Sequence, residues 1–274
     1  MVDFFVEMFS FPFMTRAFVV GSLIALCSSL LGVSLILKRY SMIGDGLSHV
    51  GFGAMAVAKV LNLDPLTLCI PVVTVSSVLL LRLKTYSKIR GDAATALIST
   101  AALAAGVMVI SISTGMNTDV CNYLFGSILS MSRADVHLSI AISVAVIVLF
   151  ILFYNRIFAV TFDETFASAT GTKTQLFNLI IAILTSLVIV VGMRMIGSLL
   201  ISSLIVVPAL GAMRVCKKFK SVVILSAVIS VLCLWCGLTL SYIASFPTGA
   251  SIVCCDLLVF VALTAVSKIR SVRS

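Results

Sequence analysis

Apolar residues along this chain form long unbroken runs rather than alternating with polar ones. Residues 17–37, 93–118, 138–155, 174–193 and 195–213 contain no charged residue, and neither does 221–255. A run of about 20 apolar residues is the length at which an α-helix crosses a bilayer core. Residues 221–255 are too long for one crossing, and FPTG at 246–249 divides them, since proline and glycine mark a turn. Two further segments complete the series: about 42–60, which holds Asp45, His49 and Lys59, and Pro65 to about Leu81. The pattern predicts an all-α polytopic membrane protein with nine transmembrane helices, the last two at about 221–243 and 250–267; eight is the alternative count. A transmembrane barrel does not fit, because its strands alternate polar and apolar over about ten residues.

Composition agrees with the pattern. Of 274 residues, 61% are hydrophobic and 11% charged, against about 25% charged in a soluble domain. The mean hydropathy is +1.25. The net charge of +9 would suggest nucleic acid if the basic residues clustered on a soluble face, but they follow the membrane. With the N-terminus outside and the C-terminus cytoplasmic, fifteen of the nineteen Lys and Arg residues fall on the inner side. Only Arg16, Lys59, Arg133 and Arg194 fall outside. Cytoplasmic loops carry such an excess, and moving one span would scramble it. No cleavable signal peptide is expected, because MVDFFVEMFSFPF carries two acids and no basic n-region. The eight cysteines lie mostly in apolar runs and form no secreted-type disulfide framework.

Two connections exceed a turn. The outer one, about 114–134, contains YLFGSILSM, too short to cross and expected to be re-entrant or interfacial. The inner one, about 156–173, reads RIFAVTFDETFASATGTK. Asp163 and Glu164 suit a helix N-terminus there and Gly171 its end, predicting a short cytoplasmic helix. No internal repeat, low-complexity tract or second domain stands out, so residues 1–274 read as one transmembrane domain.

The chemistry centres on SMIGDGLSHVGFGA, residues 41–54. Asp45 and His49 are four residues apart and share a helix face. His49 lies ten residues beyond Arg39 at the inner boundary, roughly 15 Å into a core of ~30 Å. Ionisable groups at that depth are costly and rarely face lipid. Gly44, Gly46, Gly51 and Gly53 allow a neighbouring helix or a symmetry mate to come close. A carboxylate with an imidazole suits a divalent transition metal such as zinc or manganese. The same pair also fits an interhelical hydrogen bond that only holds the bundle together.

Other polar residues point more weakly. Asp256 is expected to pair with a serine or backbone group of a neighbour. Cys233 and Cys236 form a lone CxxC within an apolar run, read as packing because zinc sites of this type come as two pairs or with histidines. His137 reads as a surface residue. Pro208, in SLIVVPALGA, removes one backbone hydrogen bond and marks either a hinge or pathway break or a static kink. There is no G-x-x-x-x-G-K-[ST] phosphate loop and no soluble domain of nucleotide-binding size. The chain is therefore read as a transport subunit, not an enzyme, and any ATP hydrolysis belongs to another chain.

Taken in order, SMIGDGLSHVGFGA, NYLFGSILSMS, FDETFASATG, IGSLLISSLIVVPALGAMRV and FPTGASIV resemble the zinc/manganese permeases of ABC transporters, from about residue 14 to 267. The resemblance implies a permease that works as a homodimer in the cell membrane. Two cytoplasmic ATPase subunits and an extracellular or periplasmic metal-binding protein would accompany it. It implies zinc, manganese or iron as cargo, with no resident cofactor and ATP bound only by the partner. Carried over by position, Asp45 and His49 become the metal-coordinating pair. Asp163, Glu164, Phe166, Ala167 and Gly171 become the coupling segment that docks on the ATPase. Two rivals remain. One is a proton-coupled secondary metal transporter with Asp45 and His49 as relay. The other is an intramembrane aspartyl protease, disfavoured because Ile43 stands where its motif wants glycine.

Overall fold

The computed structural model describes residue 8 and residues 10–86, 91–113 and 133–273. The described residues form eleven helices and no strand. They are α1 (Pro12–Leu37), α2 (Ile43–Val60), α3 (Pro65–Tyr86), α4 (Gly91–Ser113), α5 (Arg133–Leu152), α6 (Tyr154–Phe162), α7 (Glu164–Ala169), α8 (Thr174–Ile196), α9 (Ser198–Val215), α10 (Phe219–Ala244) and α11 (Thr248–Arg273). Six of them, α1, α4, α5, α8, α10 and α11, are long and apolar enough to cross a membrane. The apolar stretches Pro65–Leu81 and Leu200–Val215 are shorter. The expected re-entrant piece at 114–134 falls almost wholly outside the described residues.

The helix ends are set locally. Pro12 opens α1, where its missing N–H costs nothing. Three helices close with the same reversal, in which a residue with positive φ lets two amides fold back on the last turn. For α1, Arg39 has φ 61°, its amide donates to Ile36 O at 2.9 Å, and Tyr40 donates to Leu35 O at 2.8 Å. Asn62 closes α2 and Gly171 closes α7 in the same way. Gly197, with φ 94°, separates α8 from α9. Ser245, with φ 53°, stops α10, where Ser241 Oγ donates to Phe246 O at 2.7 Å. The predicted split of 221–255 at FPTG is therefore present, between Ala244 and Thr248.

The core lies among α1, α2, α8 and α9. Of these six, α1 and α8 are the most enclosed, whereas α4, α5 and α11 bury only one narrow side. Their outer sides carry Ile112, Leu152 and Leu258, each at least 70% exposed. Large apolar side chains pointing outward at that density belong against lipid. Inside, the polar side chains are mostly small and tied to neighbouring helices. Ser77 Oγ donates to Ala182 O at 3.2 Å, and Ser230 Oγ to Ala25 O at 3.1 Å. At one end of the bundle, Arg194 of α8 pairs with Asp135 of α5 at 3.2 Å.

Two close approaches depend on glycine. Helix α2 lies along α4 so tightly that a Cβ on Gly53 would sit 2.8 Å from the Ala102 carbonyl oxygen. Likewise, a Cβ on Gly106 would come within 2.9 Å of the Gly53 Cα. A Cβ on Gly32 of α1 would collide with the Ile205 carbonyl of α9. The small residues of the Asp45 motif thus serve packing of α2 inside its own subunit.

Candidate functional site

Helix α2 is buried on nearly every side. Between Ile43 and Ala58, the residues that are not buried are Asp45, His49, Gly53 and Val57. That spacing of four draws one narrow row along the helix. Every other position there packs against α3, α4, α8 or α9. Asp45 and His49 are the polar members of this row, which the described residues cover least at its Asp45 end, whereas Gly53 in the same row lies against α4.

Within the strip, His49 Nε2 stands 3.6 Å from Asp45 Oδ1, with the side chains 17% and 41% exposed. At that distance the two attract but do not make a well-formed hydrogen bond. His49 Nδ1 is buried and has no hydrogen-bond partner among the described residues. His49 thus keeps a ring nitrogen that no described residue engages, beside a half-exposed carboxylate. Among the described residues no cluster of three or more His, Cys, Asp or Glu side chains gathers to hold a metal ion. One chain brings two donors to this place, one nitrogen and one carboxylate.

The connection at 156–173 folds as its residues predict. Asp163 caps α7, its Oδ1 accepting from the Phe166 amide at 2.9 Å. Ala167 is buried against the bundle, while Phe166 projects outward and is 66% exposed. Gly171 ends the segment at φ 80°. Glu164 does more than sit near a helix start. Its Oε1 accepts from Asn178 Nδ2 at 2.7 Å, and its Oε2 lies 3.5 Å from Lys38 Nζ. Lys38 also donates to Asn178 Oδ1 and, at 3.1 Å, to the Val160 carbonyl. Tyr40 adjoins this group; burial, and then the Glu164 charge, push its phenol up from 10.0 to about 12. Sequence reasoning missed Lys38, Tyr40 and Asn178 as a unit. The only signal was an amide, Asn178, close to the start of an otherwise apolar run.

Pro208 is buried, and α9 continues through it as one helix. The turn before it lies on α2, where a Cβ on Gly44 would meet Ile205 Cδ1 at 3.3 Å. Asp256 is fully buried, and Ser203 Oγ lies 3.5 Å from its Oδ2, which is the expected pairing with a neighbour's serine. Cys233 is buried whereas Cys236 is exposed. His137 is exposed, as expected.

Comparison with known proteins decides the family. The sequence profile of the ABC 3 transport family matches residues 10–267. The chain belongs to that family. ABC 3 relatives include the manganese import system permease protein ScaB of Streptococcus gordonii, 27% identical over 258 residues, covering 94% of this chain and 92% of the relative. They also include the high-affinity zinc uptake system membrane protein ZnuB of Haemophilus influenzae, 26% identical over 252 residues, covering 92% and 96%. Among solved structures, PsaBC from Streptococcus pneumoniae in complex with Fab is similar at a TM-score of 0.85 and 26% identity. That match covers 96% of this chain and 95% of the other. The resemblance to metal-type ABC permeases carried by the motifs is thereby borne out. So is the location: this ABC 3 protein is a multi-pass integral protein of the cell membrane.

Proposed function

We propose that this chain is the permease of an ATP-driven importer for a divalent transition metal ion, zinc, manganese or iron. Two copies would face each other across this strip of α2. The observation that carries the reading is the strip itself. A carboxylate and an imidazole stand on the row of α2 that the described residues cover least. A carboxylate facing lipid is costly, so a second copy or a water-filled path covers that face. A twofold pairing brings two Asp45 and two His49 side chains together, an N2O2 donor set. Zinc takes four such ligands, and manganese would add water or carbonyl oxygen.

The metal is cargo, so the site has to release it. Binding needs His49 neutral and Asp45 ionised. A site split between two subunits comes apart when they rock, which lowers affinity without any chemical step. Phe166, on the exposed side of α7, would be the apolar knob received by a cytoplasmic ATPase. Asp163, Glu164, Ala167 and Gly171 would shape and seat it. An extracellular or periplasmic binding protein would deliver the ion. Nine spans with the N-terminus outside put α7 and the basic loops in the cytoplasm, with α2, α3 and α9 as the crossings beyond the six most apolar helices. The manganese and zinc systems named for its relatives support the substrate class.

The test is metal uptake into proteoliposomes containing the chain, its ATPase and loaded binding protein. Zinc, manganese and iron are compared with and without enclosed ATP. ATP-dependent uptake of one metal, lost in Asp45→Ala and His49→Ala, is expected. Uptake that ignores ATP but follows a proton gradient would replace this reading with a proton-coupled carrier. Normal uptake in both variants would overturn the site.

A further inference from the structure

Lys38 is the last-turn neighbour of α1, yet its ammonium reaches three other helices. It donates to the Val160 carbonyl of α6 at 3.1 Å and to Asn178 Oδ1 of α8, and it lies 3.5 Å from Glu164 of α7. Asn178 closes the ring through its own 2.7 Å bond to Glu164. The Lys38 side chain is only 9% exposed, and these oxygens compensate its charge, with Glu164 itself 52% exposed. A charge-assisted set of this kind separates only at high cost once one partner is withdrawn. The four helices are therefore tied at one point.

The residues just after Lys38 are held as firmly. Arg39 sits in the left-handed region at φ 61°. The Arg39 and Tyr40 amides bond back to α1, and the Ile43 amide donates to Tyr40 O at 3.1 Å. This hydrogen-bonded elbow leads straight into α2, which carries Asp45 in its first turn. A polar cavity of about 320 Å³, lined by Lys38, Tyr40, Glu164 and Asn178 among others, leaves room beside the knot for it to shift.

We infer that Lys38 is the joint that passes displacement of α7 to α2, and so to the Asp45–His49 strip. This rests on the reading of α7 as the ATPase-docking segment and adds the route by which docking reaches the metal pair. Lys38 is a positioning residue: it touches neither ATP nor cargo. Its work is to keep Glu164, Asn178 and the elbow moving as one body.

The deciding variant is Lys38→Met, which keeps the apolar stem and removes the charge and the donors. Complex recovery, ATP hydrolysis and metal uptake are measured on the same proteoliposomes. The ATPase should co-purify as with wild type and hydrolyse ATP, while metal moved per ATP falls about tenfold. Lys38→Arg should restore part of that ratio. Asn178→Leu, which removes the amide bonded to both Lys38 and Glu164, should lower the ratio as well. A wild-type ratio in Lys38→Met would overturn the inference, and so would an equal fall in hydrolysis and uptake. If Lys38→Met does not accumulate, Asn178→Leu decides: a wild-type ratio there overturns the joint. Phe166→Ala separates the two readings. Release of the ATPase by Phe166→Ala with unaltered coupling in Lys38→Met removes only the joint, whereas full ATPase recovery with Phe166→Ala removes the docking reading beneath it.

Discussion

His49 Nε2 and Asp45 Oδ1 lie 3.6 Å apart on the least-covered row of α2. The gap is too long for a firm hydrogen bond and short enough for one cation to bridge both. An internal tie between helices would look different, with the donor and acceptor engaged by a neighbouring helix. Replacing His49 or Asp45 by alanine should therefore leave the fold and ATPase recovery intact. Transport affinity should fall by at least the roughly 10–100-fold that loss of an outer-shell partner costs a metal site. The check is uptake as a function of metal concentration, beside a thermal unfolding curve. A large drop in unfolding temperature with normal transport would return the pair to a purely structural role.

The contact between Gly53 and Gly106 sets the separation of α2 and α4. A side chain at Gly53 would press on the Ala102 carbonyl at 2.8 Å, so backbone must yield. Gly53→Val should destabilise the protein by about 1–3 kcal/mol, the usual cost of overpacking. It should also shift the strip that holds His49. Unfolding in detergent measures the first effect and metal affinity the second.

Helix α7 is short and depends on its two ends. Asp163→Ala removes the acceptor of the Phe166 amide and should cost about 1 kcal/mol. Gly171→Val forces a branched residue into φ 80° and should cost about 1–2 kcal/mol. Hydrogen exchange of the α7 amides should quicken in both variants, with the rest of the bundle unaffected. Recovery of the ATPase on the purified complex should decrease in step.

Tyr40 gives a pH signature. Its phenol is raised from 10.0 to about 12 by burial and by Glu164, so the folded chain holds the proton more tightly than the unfolded chain. The corresponding stability is complete below pH about 10 and is lost as pH rises towards about 12. Tyr40→Phe should remove one late-titrating phenol from the tyrosinate absorbance curve. In Glu164→Gln the same phenol should titrate earlier, because the repelling charge is gone.

Much of this protein was readable without coordinates. Charge-free runs of bilayer length determined the helices, because hydrocarbon tolerates few other ways of satisfying the backbone. The FPTG break, the cap at Asp163 and the close at Gly171 are local, governed by φ preferences and side-chain acceptors within three residues. Asp45 and His49 stood out because ionisable groups are rare at that depth. Which face of α2 is covered least was not readable, because the glycines that flank the pair allow close approach on any side. Only packing against α3, α4, α8 and α9 decided it. The same holds for Lys38, counted in the sequence as one more inner positive charge. Its partners at Val160, Glu164 and Asn178 lie more than 120 residues away along the chain, and nothing local foretells them. Local chemistry fixed the elements and their ends; long-range contact alone determined which buried charges meet and which surface is left for a partner.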